Sequence, residues 1–271
     1  MSAPTSSTSF SPQGHPVRVF TRDPAKVAPW GGRVQIAQGD FTQPDTFTAA
    51  VSGVDGLFLM NGVLDIALFR QLVAIAKASG TPRVVFLSTV SAADPGSPIG
   101  RLHKEKEDAL QASGIPLALV RAGGFMSNAF QWIPSIQAEG VVPNALGAGR
   151  FAPIAPEDIA AVAVYALTAP SLNQSLFEVT GASLITLPEQ VGILSRLLGK
   201  PLRSVDVPIE AAIQNLIRTG LPPQVAAAVG QSLAAIREGR GALVTDTVER
   251  VTGRPPRTFE AWARDHIARF A

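Results

Sequence analysis

Between residues 17 and 120, the chain alternates short β-prone runs with helical patterns. The β-prone runs cover residues 17–20, 34–37, 55–60, 83–88 and 116–120. The run at 83–88 is the clearest buried strand, because four consecutive apolar residues follow its arginine. Strands that alternate with helices form βαβ units, whose strands lie parallel in one sheet. The sequence therefore predicts a doubly wound α/β fold with helices on both faces of a parallel sheet.

The alternation changes after Gly124, where helical patterns predominate. We predict helices at 125–139, 156–169, 188–198, 209–219, 222–238 and 258–270, with short strands at 177–180 and 202–205. The predicted organisation is an atypical polar segment at 1–13, a nucleotide-binding core at 14–124 and a smaller, mostly helical substrate-binding lobe at 125–271. Within that lobe, residues 151–181 are predicted to return partly to the core. In the core, we expect Thr42 to cap the helix that Pro44 opens.

Composition excludes several classes of protein. The chain has 271 residues, a net charge of +2, no cysteine and no run of basic residues. Disulfides, thiolate metal sites and a nucleic-acid-binding surface are therefore not expected, and no other metal site is predicted. No apolar stretch reaches membrane-spanning length, and the first residues do not resemble a secretory signal. We expect a cytoplasmic protein that acts on a small molecule; monomer and homodimer are both compatible with the sequence.

The start of the sequence lacks an expected motif. A dinucleotide-binding half begins with a strand and a G-x-G-x-x-G turn, about 20 residues before the residue that reads the ribose. If 17–20 is the second strand, the turn falls within residues 1–8, which contain no glycine. We therefore predict that the first strand and its phosphate loop are missing from the sequence as given. Three lost hydrogen bonds to the pyrophosphate correspond to about 4–9 kcal/mol.

The missing strand also affects the sheet, because the first strand is central in the order 3-2-1-4-5-6. Its neighbours would face a gap with unpaired backbone groups. Residues 5–10 are a candidate substitute strand, although their polar composition fits a buried position poorly. Either these residues fill the gap, or the strand and loop were lost by truncation.

Several motifs in a fixed order resemble one family. They are GHPVRVFTRDPAK at 14–26, GDF at 39–41, VDGLFL at 54–59, RVVFLSTVS at 83–91, VRAGGFMSN at 120–128, PEDIA at 156–160 and VTGRPPRTF at 251–259. Together they resemble the NmrA-like group of atypical short-chain dehydrogenases. That group includes quinone and triphenylmethane reductases and festuclavine-type dehydrogenases. The resemblance implies a Rossmann-like fold and, if a dinucleotide binds, NADP(H).

The resemblance also implies a cofactor site at the strand ends. Arg22 follows the second strand, where an arginine takes a 2′-phosphate; Thr21 and Lys26 would assist. Asp40 and Phe41 would lie against the adenine. The alternatives are that Arg22 only pairs with Asp23 and that Asp40 is a turn residue. The other predicted cofactor contacts are Met60, Asn61, Gly62, Ser88, Gly123, Gly124 and Phe125, although Asn61-Gly62 also fits an ordinary turn.

Three residues are predicted to be catalytic. Ser88 and Thr89 end the strongest strand, where hydroxyls could orient a substrate carbonyl or only bond to local backbone. His103 resembles the position where relatives carry a catalytic Lys or His, and its imidazole could donate a proton or hold the nicotinamide ribose. The alternative is a surface histidine, because we expect the neighbouring charged run at 104–108 to be solvated.

The turn after the last core strand is predicted to form the substrate wall. Its candidate residues are Val90, Phe125, Met126, Asn128 and Trp132, joined by Phe130. They would provide apolar area for a flat or aromatic substrate, although about half of the aromatic residues are expected to belong to the core.

These observations predict an NADP(H)-dependent oxidoreductase that reduces a small apolar carbonyl, quinone or iminium compound. Two alternatives stay open. One is a cofactor-independent isomerase or cyclase that uses the same pocket, which the absent glycine loop suggests. The other is a non-catalytic protein that senses the NAD(P) pool.

Overall fold

The computed structural model describes residues 14–60, 62–171 and 175–271. The chain divides into two compact units. The first unit comprises the chain up to Thr89, with Leu102–Arg121 and Ile159–Phe177. The second unit comprises Val90–Arg101, Ala122–Asp158 and Glu178–Ala271.

Ten strands and ten α-helices lie within the described residues. The strands are β1 (Arg18–Thr21), β2 (Gln35–Gln38), β3 (Leu57–Met60), β4 (Val84–Thr89), β5 (Leu117–Ala122), β6 (Val141–Asn144), β7 (Arg150–Phe151), β8 (Ser175–Val179), β9 (Ile185–Thr186) and β10 (Arg203–Asp206). The helices are α1 (Pro44–Val51), α2 (Ile66–Ala78), α3 (Pro98–Ser113), α4 (Ile133–Glu139), α5 (Pro156–Thr168), α6 (Leu187–Leu198), α7 (Ile209–Arg218), α8 (Pro223–Arg237), α9 (Thr247–Thr252) and α10 (Phe259–His266).

The described strands of the first unit form two separate sheets. β1 pairs with β2 in parallel, and the other sheet has the order β3-β4-β5-β8. β3 and β4 are also parallel, with Leu57 opposite Val84. Within the described residues, no strand pairs with both β1 and β3. This break is where the missing central strand was predicted; the candidate substitute at 5–10 lies outside the described residues and stays a prediction.

The core of the first unit packs α1, α2 and α3 against the strands. Five consecutive residues of β4 are buried, from Val84 to Ser88, because the strand is central and covered on both faces. Phe69 of α2 contacts Phe86 at 5.7 Å between ring centroids. Leu72 and Leu110 complete this apolar layer. The strands of the first unit are thus packed against an apolar layer of their own helices.

The predicted cap of α1 is wrong. The residue that precedes the helix is Gln43, whose side chain makes no capping bond. The backbone N–H of Thr42 instead donates to Asp40 Oδ1 at 2.9 Å, and Thr46 Oγ1 donates to the Gln43 carbonyl at 2.7 Å. Asp40 thus forms an Asx turn with Thr42 before the helix begins. Thr42 donates its backbone N–H to this turn and does not cap the helix.

The second unit has its own core around Trp262, which is fully buried. Helices α6 and α10 pack there with Phe259 and Phe270. β6 pairs with β10 in parallel, and β7 pairs with β9 antiparallel. Strands β6, β7 and β9 and helix α9 were not predicted. β6 reads Val-Val-Pro-Asn, a poor strand pattern, and its partner lies some 60 residues later in the chain.

Two predicted helices are shorter than expected. The region 125–139 contains a 3₁₀ segment, Met126–Trp132, before α4 begins with a proline in its first turn. The C-terminal helix ends at His266 and continues as a 3₁₀ turn. Among the helices that the structure describes, none combines the length and apolarity needed to cross a membrane.

Candidate functional site

An exposed arginine marks the end of β1. The Arg22 side chain is 79% exposed, and its Nη1 lies 3.8 Å from Asp40 Oδ2. Hydrogen bonds from Thr42 and the nearby Arg22 charge lower the pKa of Asp40, so its carboxylate is ionised at neutral pH. Arg22 thus lies near Asp40, whereas the Asp23 carboxylate lies 4.0 Å from Lys26 Nζ. Both cations stay exposed and open to an anionic ligand.

Phenylalanine rings form a cluster that includes residues close to Arg22 in the chain. The ring of Phe41 packs against Phe20 and Phe47 at 5.0 and 5.5 Å between centroids. Gly62 is exposed, and a Cβ added there would lie 3.5 Å from the Phe41 ring. Two predicted cofactor contacts, Phe41 and Gly62, are thus neighbours at the ends of β2 and β3. Met60 is half-buried at the end of β3, and Asn61 lies outside the described residues.

A buried ion pair lies behind the end of β4. Arg121 donates from Nε to Glu107 Oε1 at 2.9 Å and from Nη2 to Oε2 at 2.6 Å. The side chains of Glu107 and Arg121 are 1% and 11% exposed. Ser88 Oγ donates to Glu107 Oε1 at 2.5 Å. One carboxylate thereby ties α3 to both β4 and β5.

His103 belongs to the same group of residues. Its Nδ1 lies 3.5 Å from Ser88 Oγ, and its ring centroid is 6.3 Å from that of Phe86. Burial, with the positive charge of Lys106, lowers the pKa of His103 to about 4. The imidazole is therefore neutral at pH 7. Thr89 is half-buried at the end of β4, beside Ser88.

The prediction that residues 104–108 are solvated is wrong for two of them. Lys106 and Glu107 are each 1% exposed, whereas Lys104 and Asp108 are exposed and pair with each other. Lys106 Nζ donates to the Val63 carbonyl, and burial lowers the pKa of Lys106 to about 8. Positions 103, 106, 107 and 110 share one side of a helix, which is the buried side of α3. The charged run therefore has residues on both the buried and the exposed side of this helix. The spacing of these positions is the sequence signal for the burial of Lys106 and Glu107, whereas composition alone predicts an exposed run.

Gly100 was also missed. A Cβ at Gly100 would lie 2.0 Å from the Ser91 carbonyl oxygen, so the first turn of α3 packs directly on backbone that follows β4. Only glycine permits that approach without a backbone shift. This contact belongs to the second unit.

The predicted substrate wall lies in the second unit, with Val90, Gly123 and Gly124. Phe125 bridges to Ile154, because Ile154 N donates to the Gly124 carbonyl and Met126 N donates to the Ile154 carbonyl, both at 2.9 Å. Gly124 and Asn128 are exposed, and Phe125 and Trp132 are half-buried.

The assignment of Met126 to the substrate wall is wrong, because its side chain is 2% exposed within the core of the second unit. Phe130 also packs into that core, with its ring centroid 5.1 Å from that of Trp262. The Arg269 guanidinium stacks on the Phe130 ring at 3.6 Å. The 3₁₀ segment therefore places the side chains of Met126 and Phe130 in the core of the second unit. For Phe130, this is the alternative that part of the aromatic residues belong to the core.

His103 provides a test of the site's electrostatics. Between pH 6.5 and about 4, the unfolded chain binds a proton at His103 that the folded chain does not bind. The free energy of unfolding should therefore fall with decreasing pH in this window, by up to about 3 kcal/mol from this residue. Urea denaturation of the wild type and of His103→Gln at pH 7 and pH 4.5 measures the difference. Equal losses in the two proteins would contradict the lowered pKa.

Comparison with known proteins places the chain among reductases. Residues 5–258 match the model of the NmrA-like family. A (4-alkanoyl-5-oxo-2,5-dihydrofuran-3-yl)methyl phosphate reductase of Streptomyces griseus is 36% identical over 94% of this chain and 91% of its own length. An NAD(P)H azoreductase of Xenophilus azovorans is 36% identical over the same shares of the two chains.

Solved structures confirm the predicted fold class. An NADPH-dependent quinone oxidoreductase of Escherichia coli, complexed with NADPH, superposes with a TM-score of 0.83 at 22% identity, over 98% of this chain and 97% of that one. A Citrobacter triphenylmethane reductase complexed with NADP(H) gives a TM-score of 0.80 at 20% identity, over 97% and 95% of the two chains.

Proposed function

The chain belongs to the NmrA-like family, as its motifs predicted, and we propose on this basis that it is an NADP(H)-dependent reductase of a small, largely apolar molecule. Its substrate would be a carbonyl, quinone or iminium compound. Two relatives that are each 36% identical support a reductase, since one is a (4-alkanoyl-5-oxo-2,5-dihydrofuran-3-yl)methyl phosphate reductase and the other an NAD(P)H azoreductase.

The exposed side chain of Arg22 is the observation that supports NADP(H) as the cofactor. Its guanidinium lies 3.8 Å from Asp40 and stays open to solvent at the end of β1. A guanidinium binds a phosphate through two parallel hydrogen bonds, which suits a ribose 2′-phosphate. Phe41 would lie against the adenine, and the exposed Gly62 would let the cofactor approach the backbone at the end of β3.

The chemistry would come from the bound nicotinamide, which supplies the hydride. The contribution of the protein is to bind and orient. Ser88, Thr89 and His103 would position ligand groups at the end of β4, where ligands bind in open α/β sheets. The buried ion pair of Glu107 with Arg121 keeps Ser88 in place.

Titration with NADPH and NADH, followed by tryptophan fluorescence or calorimetry, tests the proposal. Arg22→Ala should weaken NADPH binding roughly tenfold or more, since a hydrogen bond to a charged group contributes about 1.5–3 kcal/mol. NADH binding should change little, because NADH has no 2′-phosphate. Arg33→Ala is the matched control, since Arg33 is also exposed and its Nε donates to the nearby Trp30 carbonyl at 3.0 Å.

Turnover is measured as oxidation of NADPH in the presence of a simple quinone. Steady oxidation that requires the protein would support the reductase. Failure of the chain to bind either dinucleotide would refute the proposal. Tight binding without turnover of any quinone, carbonyl or iminium acceptor would indicate the sensing protein instead.

A further inference from the structure

Two side chains predicted for the substrate wall pack elsewhere. Met126 and Phe130 pack into the core of the second unit, so the wall loses apolar area that the sequence assigned to it. Exposed aliphatic residues lie in the loop between α8 and α9, residues 238–246, which we call the α8–α9 loop. In this loop, Leu243 and Val244 are 40% and 49% exposed. They are adjacent in the chain, and both present aliphatic surface to solvent.

Hydrogen bonds fix the α8–α9 loop on the end of β8. The Thr245 backbone N–H donates to Thr180 Oγ1 at 2.9 Å, and Thr245 Oγ1 donates to the Glu178 carbonyl at 2.8 Å. Thr180 is 2% exposed, so the loop is anchored to a buried side chain. Leu243 N donates to the Gly241 carbonyl at 3.0 Å, which closes a tight turn. The two aliphatic residues are therefore held between a tight turn and a buried anchor.

The anchor of the loop adjoins the predicted substrate wall. Gly123 N donates to the Val179 carbonyl at 2.9 Å, one residue before Thr180. A Cβ added at Gly123 would lie 3.9 Å from Thr180 Cγ2. Gly123 opens the turn that continues to Phe125, and all of these residues belong to the second unit. The C-terminal end of the α8–α9 loop therefore lies beside the turn that was predicted to bind the substrate.

The other end of the loop lies near the segment that follows β4. The Arg240 guanidinium donates to Glu238 Oε2, and this bond together with the charge of Asp94 raises the pKa of Arg240. Asp94 acts on Arg240 only if its carboxylate is nearby, since surface charges are screened over about 10 Å. Asp94 follows the 3₁₀ turn Val90–Ala93, which contains the predicted wall residue Val90. The α8–α9 loop thus reaches both segments of the second unit that carry the predicted substrate wall.

We propose that Leu243 and Val244 are specificity-determining residues that complete this wall and bind an alkyl chain of the substrate. The loop is already fixed, so little conformational entropy is lost when a ligand buries the two side chains. Each methylene that the ligand buries adds apolar area to the contact. Leucine and valine have no ring face for stacking, so an aliphatic chain replaces the flat or aromatic substrate that the sequence suggested. The place of this chain in the reaction rests on the proposed function, whereas its contact with the two residues does not.

The methyl signals of leucine and valine measure this contact directly. ¹H–¹³C spectra of the full chain are recorded while heptyl methyl ketone or ethyl methyl ketone is added, with and without NADPH. Leu243→Met or Leu243→Ile, and Val244→Ala or Val244→Ile, assign the signals by their loss. We expect both residues to shift saturably, with a Kd roughly tenfold or more lower for the heptyl ketone, because it buries additional methylenes.

Val205 is the matched reference for these spectra. It is 38% exposed on β10 of the same unit, and Val205→Ala identifies its signals. These signals should not move when the ketones are added. Unshifted signals of Leu243 and Val244, or an equal shift of Val205, would overturn the proposal.

Turnover tests whether the contact selects substrates. For quinones with chains from methyl to heptyl, the kcat/KM of the wild type should rise with chain length. Leu243→Ser and Val244→Ser should each lower kcat/KM for the longest chain by about threefold or more and leave turnover of the methylquinone unchanged. Val205→Ser should keep the wild-type dependence. The same dependence in both loop variants would contradict the assignment.

The outcomes distinguish this inference from the proposed function. A chain that does not bind NADPH but whose Leu243 and Val244 signals shift would refute the proposed function and leave this inference standing. Turnover without these shifts would do the reverse. Sedimentation of the wild type tests the other use of an exposed apolar pair, which is a contact with a second copy of the chain. A dimer that Leu243→Ser dissociates would overturn the proposal.

Discussion

Glu107→Ala should lower the free energy of unfolding by about 3–5 kcal/mol, the range expected when one partner of a buried ion pair is removed. The Arg121 guanidinium would lose two hydrogen bonds, and Ser88 would lose the acceptor of its hydroxyl. Arg121 is only 11% exposed, so water cannot fully replace the carboxylate. Urea denaturation measures the change.

Two controls separate the loss of an ion pair from the loss of a side chain. Asp108→Ala, on the same helix, breaks the exposed pair with Lys104 and should cost less than about 1 kcal/mol. The double variant Glu107→Leu with Arg121→Met should recover much of the stability, because an apolar pair of similar volume carries no buried charge. A Glu107→Ala variant as stable as Asp108→Ala would contradict the buried pair.

Asp158→Ala should destabilise the second unit by about 3 kcal/mol. Asp158 is fully buried, and its carboxylate accepts from Arg254 Nη1 and from the backbone N–H of Arg257, both at 2.7 Å. Each bond to a charged group contributes about 1.5–3 kcal/mol, and the Arg257 N–H would lose its acceptor. These bonds hold the segment between α9 and α10 against the start of α5.

The expected fall in the melting temperature for Asp158→Ala is roughly 6–12 °C, from 2–4 °C per kcal/mol in a chain of this size. Asp265→Ala is the matched control, because Asp265 pairs with the Arg257 side chain at the surface. That variant should melt within about 3 °C of the wild type. Equal shifts for the two variants would show that Asp158 does not anchor the segment.

The strands and helices of the first unit were predictable because their signals are local. Apolar residues at 83–88 predict β4, which the structure has at Val84–Thr89. The pattern from Ile66 onward similarly predicts α2. The strands of the second unit were not predictable in the same way. β6 has a weak pattern of its own and becomes a strand by pairing with β10.

The candidate site was predicted in part. Position at a strand end identified Ser88, and the family resemblance identified His103; the structure places Ser88 Oγ and His103 Nδ1 3.5 Å apart. Their catalytic roles stay predictions. Glu107 and Lys106 were assigned to the solvent, because a run of five charged residues was taken as one exposed face. Met126 was assigned to the substrate, although its side chain lies in the core of the second unit.

The sequence by itself determined the α/β alternation and the type of residue at each strand end, because these depend on neighbours within a few positions of the chain. It determined the family through the order of its motifs along the chain. Only the tertiary structure decided which charges are buried. A carboxylate such as Glu107 can leave water only where a partner from another element, here Arg121 of β5, replaces the lost hydration.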